Sequence, residues 1–323
     1  MPRFAAVMYH YVRPLRRSRF PAIKGLDLEL FRAQLDYLQN HATIVPAEAM
    51  FAPADEELPP RAVVLTFDDG YIDHYTYVFP ELCRRGLTGA FYPPACAVRD
   101  RVMLDVNKIH FTLAACTDTE ALVEDMETLL AARAAEFALR PLAEYRQDLM
   151  VPNRFDPASV NYFKRMLQHA LPPALRAWIA DRLFERHVSV DQATFAEEIY
   201  VSLDQLQVMR QGGMVIGGHG DQHLWLDKVD DDTRLREVAV SADLLDECGV
   251  ATDRRSFCYP YGGNDAPTRD LLLRFGFSVA FCTEVDVADT ARQSLLQLPR
   301  LDTSHLPRDP SAPFDEWLKC LAE

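Results

Sequence analysis

The sequence predicts an α/β fold, and three observations carry the prediction. Short apolar runs alternate with segments whose apolar residues recur at helical spacing. Hydrophobic residues make up 49% of 323, which supports a substantial core. Several apolar runs also end abruptly in polar residues beside Gly or Pro, as strands do when they deliver ligand-binding groups at their carboxyl ends.

The elements follow in order. FAAVMYH (4–10) reads as a first strand, and ATIV (42–45) as a weaker one. Further strands are expected at 62–67 (AVVLTF), 88–93, 214–218, 256–261 and 278–282. Leu28, Phe31, Leu35 and Leu38 mark a helix that Asp27 can cap. Residues 73–85 form a second, ending at Gly86, a natural helix-terminating residue. Residues 231–247 form another, whose acidic start at Asp230, Asp231 and Asp232 suits the helix dipole. From 98 to 203 the pattern is helical and carries no evident strand. The expected organisation is one domain, 1–323, holding a helical insertion at 98–203. That insertion reads as a packing subdomain, the alternative being a lid beside the site.

A formal net charge of −14 argues against a nucleic-acid or anionic-membrane partner. The apolar start MPRFAAVMYHYVRP is broken by Tyr9, His10 and Arg13, too early for a signal-peptide core or a membrane span. Cys83, Cys96, Cys116, Cys248, Cys258, Cys282 and Cys320 are odd in number, widely spaced and without a CxxC. A reducing cytoplasm is the expected location.

Four stretches can carry chemistry. In VVLTFDDGY (63–71) two adjacent carboxylates close an apolar run. Neighbouring strand residues point to opposite faces, so Asp68 and Asp69 share a cleft only if the chain turns sharply, which Gly70 permits. A cation would offset their repulsion; a capped turn with solvated acids is the other reading. MVIGGHGDQHLWL (214–226) sets His219 and His223 four residues apart, which on a helical turn places both imidazoles on one side. Asp69, His219 and His223 together make a one-carboxylate, two-imidazole set that leaves coordination positions open, as catalytic metal sites do. In RRSFCYPYGGND (254–265), Pro260 fixes the backbone and the glycines admit a ligand, so the Tyr261 N–H can face a developing oxyanion; an ordinary Pro-Gly turn with aromatic packing is the other reading. LPRLDTSHLP (298–307) gathers Arg300, Asp302 and His305. His10 reads either as lining the site or as a satisfied buried histidine, His74 as a rim or surface residue, and Asp105 and His110 either as reaching toward the cleft from the insertion or as lying outside the site.

TFDDG, then HxxxH after a Gly-rich strand end, then YPYG, in that order, resembles the NodB-homology polysaccharide deacetylases, carbohydrate esterase family 4. VMYHYVRP and FYPP (91–94) are similar to that family as well. The resemblance covers most of 4–98 and 204–305 and leaves the helical insertion outside. It implies a distorted (β/α) barrel, a divalent metal, most commonly Zn2+, and an acetylated sugar or glycan as substrate. It implies Asp69, His219 and His223 as metal ligands, Asp68 as general base and Tyr261 as oxyanion donor through its backbone. His305 is the corresponding candidate for the acid that protonates the leaving amine. The implied function is removal of an N-acetyl group from a glycan or glycan precursor. O-deacetylation and a catalytically silent glycan-binding relative are the alternatives. Gly220 stands where the family often has Ser or Thr, so a loop-steadying hydrogen bond is expected to be missing. Cys258 stands where many members carry Arg, so the usual arginine contact to the base is expected to be lost. The TSH at 303–305 matches the family's late Leu-x-His pattern poorly, and Arg300 is read as orienting a carboxylate or binding substrate.

Overall fold

The computed structural model describes residues 3–53, 55–153, 156–309 and 311–313; Cys320 lies outside them. They divide into two compact units. One takes the residues up to Pro14, Gly25–Val102 and those from Glu197 on; the other takes Leu15–Lys24 and Met103–Ala196. No helix among the described residues is long and apolar enough to cross a membrane.

Every strand among the described residues belongs to the first unit: β1 (Arg3–Tyr9), β2 (Val12–Arg13), β3 (Leu26–Asp27), β4 (Thr43–Ile44), β5 (Ala62–Asp68), β6 (Ala90–Tyr92), β7 (Val215–Ile216), β8 (Arg255–Cys258), β9 (Phe277–Phe281), β10 (Ala288–Asp289) and β11 (Leu301–Asp302). The main sheet runs β10-β1-β5-β6-β7, with β4 beside β5 and β11 beside β1. Only β10 is antiparallel to its neighbour there. Val7 pairs with Leu65, Thr66 with Ala90 and Phe91 with Ile216. β5 is buried at every residue, as a parallel strand covered on both faces must be. β8 and β9 form a separate parallel pair. Single bridges, Gly218 to Phe257 and Phe281 to Leu298, connect that pair to the ends of β7 and to the segment before β11. The α/β class is therefore as predicted. Where a regular barrel would carry continuous ladders, these two seams hold one bridge each.

Two strands are shorter than their apolar runs. The run at 214–218 keeps only β7 and the Gly218 bridge. The run at 256–261 stops at Cys258, because Pro260 has no N–H to continue a ladder, and Pro260–Gly262 winds into a 3-10 turn.

The helices are α1 (Leu28–His41), α2 (Phe79–Arg85), α3 (Ala95–Arg99), α4 (Asp105–Ala115), α5 (Thr119–Arg133), α6 (Leu142–Leu149), α7 (Ala158–Arg165), α8 (Pro173–His187), α9 (Gln192–Ile199), α10 (Leu203–Gln211), α11 (Asp231–Glu247) and α12 (Ala266–Arg274). Asp27 caps α1 by accepting from the Glu29 N–H, and the four periodic apolar residues are buried. α2 extends a π-helical turn at His74–Val78 and ends at Gly86, whose φ of 67° suits a residue without Cβ. Asp230 caps α11 through the Thr233 N–H.

The second unit packs Ile109, Leu122, Met126, Tyr162, Ile179 and Leu183 into its own core. Asp105 is engaged there: with Asp181 it holds the buried Lys108 ammonium, at 3.0 and 2.7 Å.

Candidate metal centre

Parallel strands place their carboxyl ends on one side, and the chemical groups come from those ends. Asp68 is the last residue of β5. Asp69 already leaves the strand, with φ 73°, and Gly70 follows at φ 64°. The turn thus begins one residue earlier than Gly70 alone predicts. A Cβ on Gly70 would lie 2.6 Å from the Pro93 Cβ, so no side chain fits there. Both carboxylates are buried.

Asp68 faces Arg300. The guanidinium donates twice, Nη1 to Oδ1 at 2.9 Å and Nη2 to Oδ2 at 2.7 Å. Arg300 is itself fixed by the Cys282 carbonyl (3.2 Å) and Thr66 Oγ1 (3.2 Å). The arginine contact expected to be lost is present, supplied from the segment before β11. The small Cys258 thiol lies between the partners, 3.3 Å from Asp68 Oδ2 and 2.8 Å from Arg300 Nη2. Burial pushes the Asp68 carboxyl up, but Arg300 above all, then His219 and His10, outweigh it and hold it at about 2. Asp68 is ionised across the neutral range.

Asp69 divides its two oxygens. Oδ2 accepts from the Tyr71 hydroxyl at 2.6 Å. Oδ1 lies 3.3 Å from His219 Nε2 and 3.3 Å from His223 Nε2, buried and without a hydrogen-bond partner. Burial raises this carboxyl, yet the two imidazoles hold it well below its usual range. His219 Nδ1 lies 2.6 Å from the Cys258 carbonyl. A carbonyl only accepts, so Nδ1 carries the hydrogen and Nε2 turns its lone pair toward Oδ1. A lone pair facing an unpaired buried carboxylate oxygen fits a shared cation, and the three ligand atoms lie within 4.8 Å of one another. The ligand atoms of Asp68, His219 and Cys258 also lie within 4.8 Å of one another, but Asp68 already spends both oxygens on Arg300.

The two histidines converge without a helix. Gly220 has φ 74° and His223 φ 58°, which no α-helix contains, so the segment is a loop and not the helical turn expected from the spacing. The rings still meet edge to face at 4.8 Å. The loop-steadying contact expected to be missing at Gly220 comes from elsewhere: Glu237 of α11 accepts from the Asp221 and Gln222 N–H groups. Tyr261 sits in the 3-10 turn after β8 at φ 56°; its ring stacks on Trp225 (4.8 Å, 9°) and meets His223 edge-on (4.6 Å).

Of the other candidate histidines, His10 matches one of its two expected readings and His74 does not. The His10 side chain is 40% exposed, and Nε2 is 4.0 Å from Asp68 Oδ2, so it lines the site. His74 is buried, not a rim residue, because other segments close around its ring: Nε2 lies 3.0 Å from the His10 carbonyl, with Phe67, Tyr71 and Phe91 around the ring. His305 is half-buried, and its Nδ1 accepts from the Asp302 N–H at 3.1 Å. Sequence reasoning gave no role to Tyr71 or Glu237. Tyr71 follows the Asp-Asp-Gly directly and could have been found there, whereas Glu237 lies mid-helix with nothing local to mark it.

A polysaccharide deacetylase family model matches residues 174–280, a span that includes His219, His223 and Tyr261. The resemblance is to the polysaccharide deacetylases. Solved structures of that kind share the fold over the full chain. A Streptococcus pyogenes deacetylase, PplD, in complex with acetate is 18% identical, with 100% of this chain and 99% of that one covered and a TM-score of 0.56. IcaB from Ammonifex degensii is 19% identical, covering 99% and 96%, with a TM-score of 0.53. A de-N-acetylase from Aggregatibacter actinomycetemcomitans is 15% identical, covering 99% and 100%, with a TM-score of 0.54. At these identities the likeness is one of fold. No curated protein sequence matches the chain. Within the deacetylase fold, Asp68, Asp69, His219, His223 and Arg300 come together from three separate stretches of chain.

Proposed function

We propose that this protein is a metal-dependent hydrolase that removes an N-acetyl group from a sugar in a glycan or glycan precursor. The observation that carries the reading is the pair of contacts at Asp69 Oδ1, 3.3 Å from each imidazole Nε2, beside an ionised Asp68. Zn2+ is the ion proposed, since one carboxylate and two imidazoles suit it and leave positions open. A cation held by these three side chains supplies Lewis-acid activation of water and of the acetyl carbonyl.

The chain's own groups do the rest. Asp68 accepts the proton of the attacking water. Its low proton affinity makes it a weak base on its own, so its contribution is chiefly orientation, and Arg300 keeps both oxygens in place. The Tyr261 backbone N–H is proposed to donate to the developing oxyanion. The nitrogen must leave as an amine, which requires a proton. Two histidines compete for that role. His10 is favoured, because it is exposed beside Asp68, while His305 Nδ1 is engaged with the Asp302 backbone. The location proposed with this reading is the cytoplasm, on the strength of the cysteine pattern.

The first test is the metal content of gently purified protein against a His219→Ala, His223→Ala variant. Near-stoichiometric divalent metal in the first and its loss in the second is expected. Acetate release from N-acetylglucosamine oligomers then compares Asp68→Asn, expected to keep the metal and lose activity by about 10²–10⁴-fold. No metal in the wild type even after reconstitution would sink the mechanism, as would an unimpaired Asp68→Asn. His10→Gln should slow amide cleavage more than ester cleavage, since an ester leaving group needs less help from an acid; if His305→Gln does this instead, the acid is His305.

A further inference from the structure

We propose that Glu237 is a positioning residue for the loop that carries both imidazoles, and that Gly220 is the counterpart that makes room for it. This rests on the metal reading above.

The loop between His219 and His223 has no secondary structure to hold it, so its polar groups must be met from outside. They are met on two sides. The Gly220 and Asp221 carbonyls accept from the Ala95 and Cys96 N–H groups, at 3.0 and 3.2 Å, where α3 begins. The Asp221 and Gln222 N–H groups point the other way and donate to Glu237: Oε2 takes Asp221 at 2.9 Å, and both oxygens take Gln222, at 3.0 and 3.1 Å. Glu237 is 1% exposed and comes from the middle of a seventeen-residue helix, a rigid base for a carboxylate. Two adjacent N–H groups aimed at one buried carboxylate fix the peptide planes between the histidines, and with them the directions of the side chains on either side.

Gly220 closes the arrangement. A Cβ there would lie 2.7 Å from Glu237 Oε2, and φ 74° disfavours any L side chain. A residue with its own hydroxyl at this position would therefore displace the Glu237 carboxylate from the place where it now holds the loop. The loop that seemed to lack a steadying hydrogen bond has exchanged a local one for a long-range pair.

The test measures Zn2+ affinity by chelator competition and thermal stability of the metal-free protein, for wild type, E237A, E237Q, G220S and the double variant G220S/E237A. E237A is expected to weaken Zn2+ binding by about 10–100-fold. E237Q keeps an acceptor oxygen where Oε2 receives both N–H groups, and is expected to bind within about threefold of wild type. G220S should lose affinity through the clash, and the double variant should lose far less than the product of the two single losses, because removing the carboxylate removes the clash. Binding by E237A equal to wild type, with only its metal-free melting point lowered, would make Glu237 an ordinary structural residue and overturn the proposal. Multiplicative losses in the double variant would overturn the Gly220 half. A wild type that takes up no Zn2+ would overturn the metal reading and this inference with it.

Discussion

At Asp69 one carboxylate gives its two oxygens different partners, and the difference is set by Tyr71. The hydroxyl occupies Oδ2 and leaves Oδ1 to the imidazoles. Tyr71 is itself stacked on Tyr11 at 3.8 Å, so the donor cannot swing away. Tyr71→Phe removes only the hydroxyl and frees the carboxylate to rotate. Zn2+ affinity by chelator competition should fall by about tenfold, with the fold intact by circular dichroism. Unchanged affinity would show that the two imidazoles orient Asp69 without help. At this scale the ligands were legible in the sequence, because Asp68-Asp69 and His219/His223 lie in short motifs at strand ends. Their supports were not: Tyr71, Glu237 and the exposure of His10 depend on where distant segments pass, and no local spacing encodes that.

At the scale of elements, Arg300 ties the segment leading into β11 to the end of β5, with β1 lying between those two strands. Both members of the pair are buried, so removing the cation strands a carboxylate in a medium that cannot solvate it. Arg300→Met is expected to cost about 3–5 kcal/mol in urea unfolding. Adding Asp68→Asn to it should recover part of that loss, since the stranded charge is then gone. Recovery of nothing would mean that the arginine acts through packing alone. The strands β1 and β4 to β9 and the helices α1, α2 and α11 were readable from period and caps, within a few residues; the two-residue strands β2, β3, β10 and β11 and the helices α3, α10 and α12 were not. The two shortened strands share one cause: β7 and β8 end early where glycine and proline replace ladder-forming residues, and the apolar pattern does not register that. The histidine loop failed for a related reason, since an i,i+4 spacing is equally satisfied by two left-handed backbone residues.

Across the whole molecule, acid stability should carry the mark of His74. Burial pushes this imidazole from 6.5 down to about 4, despite the opposing pull of the His10 carbonyl and Asp69. Between those values the unfolded chain takes up a proton that the folded chain refuses, so stability falls as pH drops from 6.5 toward 4. His74→Phe should flatten that part of the curve when unfolding free energy of the metal-free protein is measured from pH 7.5 to 4.5. An identical slope in the variant would place the titration elsewhere. The α/β class was legible at this scale because strand and helix periods alternate. The segment Leu15–Lys24, which joins the second unit across more than seventy residues of sequence, was not, because membership of a compact unit is decided by packing and leaves no local trace.

The thiol of Cys258 gives the site a property of a different kind. It is fully buried against Asp68 and Arg300, and burial pushes its proton affinity far above that of an ordinary cysteine, so reagents that attack thiolates have neither access nor a reactive form to meet. Cys83, by contrast, lies exposed at the surface. In a labelling time course Cys83 should therefore be consumed at once, while modification of Cys258 has to wait until β8 parts from the end of β5. The slow phase is a built-in clock for the breathing of the catalytic face, readable by mass spectrometry without attaching any probe.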